Sequence, residues 1–202
     1  MDSPATRDPD LTRARILDAA LALFVEHGVT GVSLREIAET SGVTKSLIHH
    51  HFGSKEALWT AVKAHAFSRY AEEQMAELEA RQVPDTSLLQ TSVLRYFRFL
   101  QQRPEVVRLL AWIHLEADEG CSEMDAELVR LGAERIRQAQ QAGLLRDDVN
   151  PTHVVTLFVH ACSQWFTAKA HHSGWPGIGD DQAYLDDFLR IFMAGLAPPE
   201  ER

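Results

Sequence analysis

The sequence predicts an all-α protein of about nine helices: a small N-terminal helix-turn-helix head followed by a larger helical bundle. Three observations carry that prediction. Apolar residues recur at i, i+3, i+4 and i+7 in one segment after another, the period of a half-buried helix. No run alternates apolar and polar residues as a half-buried strand does. Helix-stopping and helix-starting residues stand between the periodic segments.

The first helix spans about 10–27, with Ile16, Ala19, Ala20, Leu23 and Phe24 on one face, and Gly28 stops it. Ser33-Leu34-Arg35-Glu36 is a capping box, in which Ser and Glu each satisfy the other's free amide at a helix start. That second helix ends near Ser41-Gly42. A third covers about 44–51, and Gly53-Ser54 ends it and caps a fourth, about 54–81, before Pro84. Further helices fall at about 85–102, 104–117, 122–142, 151–172 and 181–196. They are separated by Arg103-Pro104, an acidic stretch from Glu116 to Gly120, Gly143, Asn150-Pro151 and the loop SGWPGIGD. The expected division is a helix-turn-helix head at 10–56 and a body at 57–202.

Composition narrows the class. The 202 residues carry a net charge of −9, which argues against a general nucleic-acid coat. Residues 11–60 are balanced, with five basic and five acidic side chains, so the head can present a local basic face. Cys121 and Cys162 form no CxxC motif, which fits a reducing compartment. The start, MDSPATRDPD, lacks the basic and apolar regions of a secretory signal. No apolar segment approaches the ~20 residues that span a bilayer. A cytoplasmic protein without a membrane partner is expected.

Residues 34–52, LREIAETSGVTKSLIHHHF, carry the functional signal. Two helices crossing at a steep angle need a small residue at the crossing, Ala38, and a residue tolerant of positive φ in the turn, Gly42. Ile37, Val43, Ile48 and Phe52 then supply apolar anchors against the first helix.

Residues 12–62, TRARILDAALALFVEHGVTGVSLREIAETSGVTKSLIHHHFGSKEALWTAV, resemble the DNA-binding domain of the TetR family of transcriptional regulators. The rest is similar in length and architecture to that family's effector-binding and dimerisation domain. The resemblance implies that Thr44 meets phosphate, Lys45 a base edge, and Ser46 and Leu47 the major groove, Leu47 against a thymine methyl. It implies a phosphate contact at Lys55, beside the N-cap Ser54. Ser33 and His50 complete the expected DNA-facing set. His49 stands where the family usually has a Tyr whose hydroxyl reaches phosphate. An imidazole donates most strongly when charged, so two readings stay open: binding that tightens as pH falls, or a His that simply occupies the site.

The triplet His49-His50-His51 does not make a metal site, because consecutive side chains on a helix point about 100° apart. Metal pairs on a helix stand at i, i+4. No metal and no cofactor is expected. His51, one turn from Ile48, is read as structural.

A single recognition helix reads few base pairs, so the resemblance implies a homodimer on a palindromic operator. The helix from Pro151 and the last helix are apolar on more than one face. Val154, Phe158, Cys162, Leu185, Phe188 and Phe192 are the expected interface residues. The eighth helix also carries a polar line, His153, Thr156, His160, Gln164 (or Ser163) and Thr167. That line suits solvent, a dimer seam or anchors in a cavity. For a small-molecule effector the candidate lining is Phe97, Trp112, Met124, His160, Gln164 and Trp165, an apolar wall with a few polar groups. The acidic stretch at Glu116, Asp118 and Glu119 reads as a solvated turn.

The expected function is a dimeric DNA-binding regulator, a repressor released by an effector that moves the fourth helix. The alternatives are a helical interaction protein that has lost DNA binding and an all-helical His-dependent enzyme. No GxSxG, HExxH, P-loop or Rossmann fingerprint supports the enzyme.

Overall fold

The computed structural model describes residues 8–81, 83–120 and 122–198, and among them every regular element is a helix. The ten helices are α1 (Pro9–His27), α2 (Leu34–Ser41), α3 (Lys45–Phe52), α4 (Lys55–Ala80), α5 (Thr86–Gln102), α6 (Pro104–Leu115), α7 (Glu123–Gln141), α8 (Pro151–Thr167), α9 (Lys169–His172) and α10 (Asp181–Leu196). The described chain forms two compact units. The first takes the chain up to Ser68 and adds Ala111–Gly120; the second takes Arg69–Leu110 and the described residues beyond Gly120. α4 and α6 each contribute residues to both.

Local chemistry sets most boundaries. Asp8 accepts the Asp10 N–H at 3.0 Å to open α1, with Pro9 in its first turn. The capping box at α2 forms in both directions: Ser33 Oγ accepts the Glu36 N–H at 3.2 Å and Glu36 Oε2 accepts the Ser33 N–H at 2.7 Å. Thr44, Ser54, Asp85, Ser122, Asn150 and Asp180 cap six later helices in the same one-sided way. Gly42 closes α2 with φ 67° and ψ 30°, a conformation in which a side chain would crowd the backbone.

Two boundaries differ from expectation. The expected helix at 151–172 breaks at Ala168 (φ −100°, ψ 4°), which separates α8 from the short α9. α6 ends at Leu115 rather than 117. There the Asp118 N–H reaches the Ile113 carbonyl at 3.1 Å and the Ala117 N–H reaches His114 at 3.3 Å. This is the bond pattern of a Schellman stop, with Ala117 (φ 49°) where glycine is usual.

In the first unit Ile16, Phe24, Ile37, Ile48, Leu58 and Val62 are all but inaccessible to solvent, and the Phe24 and Trp59 rings meet edge to face at 5.4 Å. Of the four expected anchors, Ile37 and Ile48 are buried. Val43 and Phe52 are half-buried, and the Arg13 guanidinium lies over Phe52 at 5.1 Å. In the second unit α8 packs on α7 and α5, and α10 packs on α5. Val93, Phe97, Leu100, Val106, Leu109, Val154 and Cys162 fill its centre.

Candidate nucleic-acid interface

α3 has eight residues, fewer than the ~12–15 an isolated helix needs to persist in water. Ile48, 1 % exposed, holds it to the core, and burying that side chain contributes about 1.5–3 kcal/mol. Fixing Ile48 inward fixes the outward face. Lys45, Ser46, His49 and His50 are exposed and Leu47 and His51 are half-buried. Thr44 Oγ1 accepts the Leu47 N–H at 3.3 Å and shares a 3.0 Å hydrogen bond with the Ser46 hydroxyl, tying the first turn together. Arg15 donates to the Ser41 carbonyl at 2.6 Å and so holds the end of α2 to α1. Ser33 is exposed at the α2 start, Lys55 half-buried at the α4 start. Arg35, which no sequence motif singles out, is also exposed on α2 and pairs with Glu39 at 2.8 Å.

His49 makes a contact that sequence spacing does not reveal. Its Nδ1 lies 2.8 Å from the Gly53 carbonyl. A carbonyl can only accept, so Nδ1 carries the proton and, in the neutral ring, Nε2 offers only a lone pair. A neutral His49 therefore has no spare N–H with which to replace a tyrosine hydroxyl.

In the acidic turn after α6 Glu119 is exposed as expected, but Glu116 and Asp118 are half-buried and bonded. Glu116 Oε1 accepts from the Val29 N–H (2.9 Å), the Thr30 N–H (3.2 Å) and the Thr30 hydroxyl (3.0 Å). Asp118 Oδ2 accepts from the Trp59 indole at 2.6 Å and from the Lys63 ammonium, while Oδ1 accepts the Gly120 N–H at 2.8 Å. Lys63 also donates to the Gly120 carbonyl at 2.9 Å. Burial pushes the Asp118 carboxyl up, but the bonds from Lys63, the Gly120 amide and Trp59 outweigh it and hold it below the ordinary carboxylate range. Trp112, expected in an effector pocket, instead donates to the Val25 carbonyl at 3.1 Å and covers Gly28. A Cβ on Gly28 would stand 2.8 Å from its ring, so the close approach requires glycine there. Apart from Asp118 and Gly120, the partners are more than 50 positions apart, and no local pattern could have shown them.

Residues 16–62 match the family model described as "Bacterial regulatory proteins, tetR family", and residues 89–183 match "Tetracyclin repressor-like, C-terminal domain". A transcriptional repressor of Mycobacterium tuberculosis, Rv1474c, is 30% identical over 148 residues, covering 73% of this chain and 75% of that one. The chain belongs to the TetR family. Another relative, the repressor SCO4008 of Streptomyces coelicolor, is 29% identical over 80% of this chain and 81% of its own. The solved structure of AibR with isovaleryl coenzyme A and operator DNA shares the fold, with TM-score 0.64 and 22% identity, covering 89% of this chain and 97% of that one.

The second unit of this TetR-family chain corrects several expectations. Val154, Phe158, Cys162 and Leu185 are buried within the single chain and present nothing to a partner. They lie on the inward face of α8 and α10; Phe188 and Phe192 are half-buried, with ring centroids 5.1 Å apart. The outward faces carry His153, Leu157, His160 and Gln164 on α8, and Asp187, Arg190, Ile191 and Ala194 on α10. His160 and Gln164 thus lie outside rather than in an internal cavity. Phe97 is buried against Phe166 (4.7 Å), and Met124 is half-buried on α7. Trp165 stacks on Tyr184 at 4.0 Å and donates to Asp181 at 3.0 Å. It also lines an open cleft of about 380 Å3 with Gln101, Lys169 and His172. Among the described residues no group of three or more His, Cys, Asp or Glu side chains is placed to hold a metal ion. No described helix is long and apolar enough to cross a membrane.

Proposed function

We propose that this chain is a cytoplasmic, homodimeric repressor that binds a palindromic operator and releases it when a small effector binds the body. The observation that carries the reading is α3: Ile48 anchors it while Lys45, Ser46, His49 and His50 face outward together. Lys45 and Ser46 then meet base edges, Leu47 a thymine methyl, and Thr44, Lys55 and Ser33 the phosphates. His49 and His50 extend that surface. The head at 10–56 reads DNA, and residues 57–202 hold effector and partner.

Leu157, 60 % exposed on α8, and Ile191, 73 % exposed on α10, support a dimer face built from the outward sides of those helices. His153, His160 and Gln164 line its rim. AibR, which shares the fold, has been solved with isovaleryl coenzyme A and operator DNA, which supports a chain that takes both a small molecule and DNA. Release then follows from unequal effector affinity for the DNA-competent and DNA-incompetent states. An enzymatic role is not proposed, since the polar groups of the head serve caps and clasps.

The deciding experiment incubates the protein with fragmented DNA of its source and sequences the retained fraction, then titrates the recovered duplex against salt. A palindrome whose affinity falls steeply with salt is the expected result. Retention of nothing above background by folded protein at low salt would refute the reading.

A further inference from the structure

Two buried polar atoms of the second unit have no hydrogen-bond partner among the described residues, Nδ1 of the half-buried His172 and Oε1 of the fully buried Gln74. Among the described residues no Asp, Glu, Lys or Arg of that unit is buried; the buried polar side chains are Gln74, Ser92 and Ser163, with the phenols of Tyr70 and Tyr96. Tyr70 and Gln74 stand one turn apart on α4, and Ser92 and Tyr96 one turn apart on α5, so two polar pairs face each other across the seam. The Tyr96 hydroxyl shares a 2.8 Å hydrogen bond with Ser163 of α8. Gln74 Nε2 donates to Ser92 Oγ at 2.7 Å, and Ser92 Oγ donates onward to the Leu88 carbonyl at 2.9 Å.

Gln74 is 3 % exposed, and among the described residues no donor reaches its Oε1. Turning the amide over does not help. The Ser92 hydroxyl would then have to abandon Leu88, and two amide hydrogens would be stranded in place of one oxygen. A buried carbonyl without a donor is a standing cost that native interiors rarely carry without a reason.

We propose that Gln74 Oε1 is the polar anchor of the effector site, and that the effector is an uncharged, mainly apolar molecule donating one hydrogen bond to it, of the phenol or alcohol class. This rests on the effector-released repressor reading. The surroundings are aromatic: Tyr70 stacks on Phe99 at 4.9 Å and meets Tyr96 at 5.3 Å, and Tyr96 meets Phe158 at 6.3 Å, so an apolar molecule reaches Gln74 by parting ring from ring. Burial raises the Tyr70 and Tyr96 phenols well above their ordinary range and pushes the Cys162 thiol up to about 12, so this interior keeps its own groups neutral. Arg95 and Asp125 act on the phenols from the edge, but no charged side chain is buried here, so a carboxylate or ammonium drawn to Gln74 would leave water without a buried counter-ion.

The test titrates the full-length protein, alone and on its operator, with 4-propylphenol, its methyl ether and 4-propylbenzoate. Calorimetry reads binding and fluorescence anisotropy reads operator release. The expected result is saturable binding of the phenol with operator release, the ether at least tenfold weaker, and no binding of the benzoate. Gln74→Met, close in volume but without the acceptor, should melt at or above the wild-type temperature and bind phenol and ether within twofold of each other. Equal affinity of wild type for phenol and ether overturns the proposal, as does discrimination that survives in Gln74→Met. Preference for the benzoate overturns the uncharged class. A crystal grown with the phenol that shows only a water on Oε1 also overturns it. Wild type that holds operator yet ignores all three probes sinks the anchor and leaves the regulator standing. Failure to hold any operator at low salt sinks the regulator reading itself.

Discussion

The ammonium of Lys63 is buried against the carboxylate of Asp118, 55 positions later in the chain, with both side chains less than 15 % exposed. Two ions removed from water together are tolerable only while each has the other. Trp59 and the Gly120 backbone complete their hydrogen bonds, so this ion pair sits in a satisfied network that fastens the turn after α6 to the rest of the first unit.

Asp118→Asn therefore leaves a buried ammonium unbalanced and should lower stability by about 3–5 kcal/mol in urea unfolding at neutral pH. The acid limb has a definite sign. The folded-state Asp118 carboxyl titrates lower than in the unfolded chain, so its stabilisation is present above the unfolded value, about 3.9, and is lost as pH falls through the folded one. Wild type should shed stability in that window and the Asn variant should not share this component. Parallel acid profiles would remove Asp118 from the account.

Ala117 holds φ 49° between Glu116 and Asp118, a conformation that costs an L-residue about 1–2 kcal/mol. Glycine takes it freely but gives up more freedom on folding. Ala117→Gly should stabilise by about 0.5–1 kcal/mol, read as a higher melting temperature. A drop would mean that the Cβ makes contacts worth more than the strain.

On the proposed interface, the bond from His49 Nδ1 to the Gly53 carbonyl would tie DNA affinity to protonation. Only the imidazolium has a second N–H for a phosphate oxygen, and such a charge-assisted bond contributes about 1.5–3 kcal/mol. Operator affinity at constant ionic strength should rise roughly tenfold once the ring carries its second proton. His49→Gln should flatten that rise. Superimposable profiles for the two proteins would show that His49 merely fills its position.

Leu157→Glu combined with Ile191→Glu puts like charges on the outward faces of α8 and α10 without touching the core. Sedimentation should show dimer for wild type and monomer for the variant, with melting little changed and palindrome affinity reduced at least a hundredfold. A variant that remains dimeric would place the partner elsewhere.

Helix starts were legible because capping is local: Ser33 with Glu36, Thr44 and Asn150 each sit within three residues of the amides they satisfy. The stop at Leu115 was not legible, because Ala117 adopts a glycine's conformation without being one. Nor was the break at Ala168, which no Gly or Pro marks and beyond which Lys169 pairs with Asp181 at 2.7 Å.

The all-helical class, the helix-turn-helix and the outward set on α3 need nothing beyond the order of residues, since each depends on period and on neighbours a few positions apart. Tertiary packing alone settles which face of α8 is inside, that the Glu116–Asp118 turn is a clasp, and that Gln74 keeps an unused acceptor. Helical periodicity gives the angle between two side chains on one helix, but not the direction in which the helix is turned. That direction depends on surfaces contributed from far along the chain, and a broadly apolar helix such as α8 leaves it open until those surfaces meet.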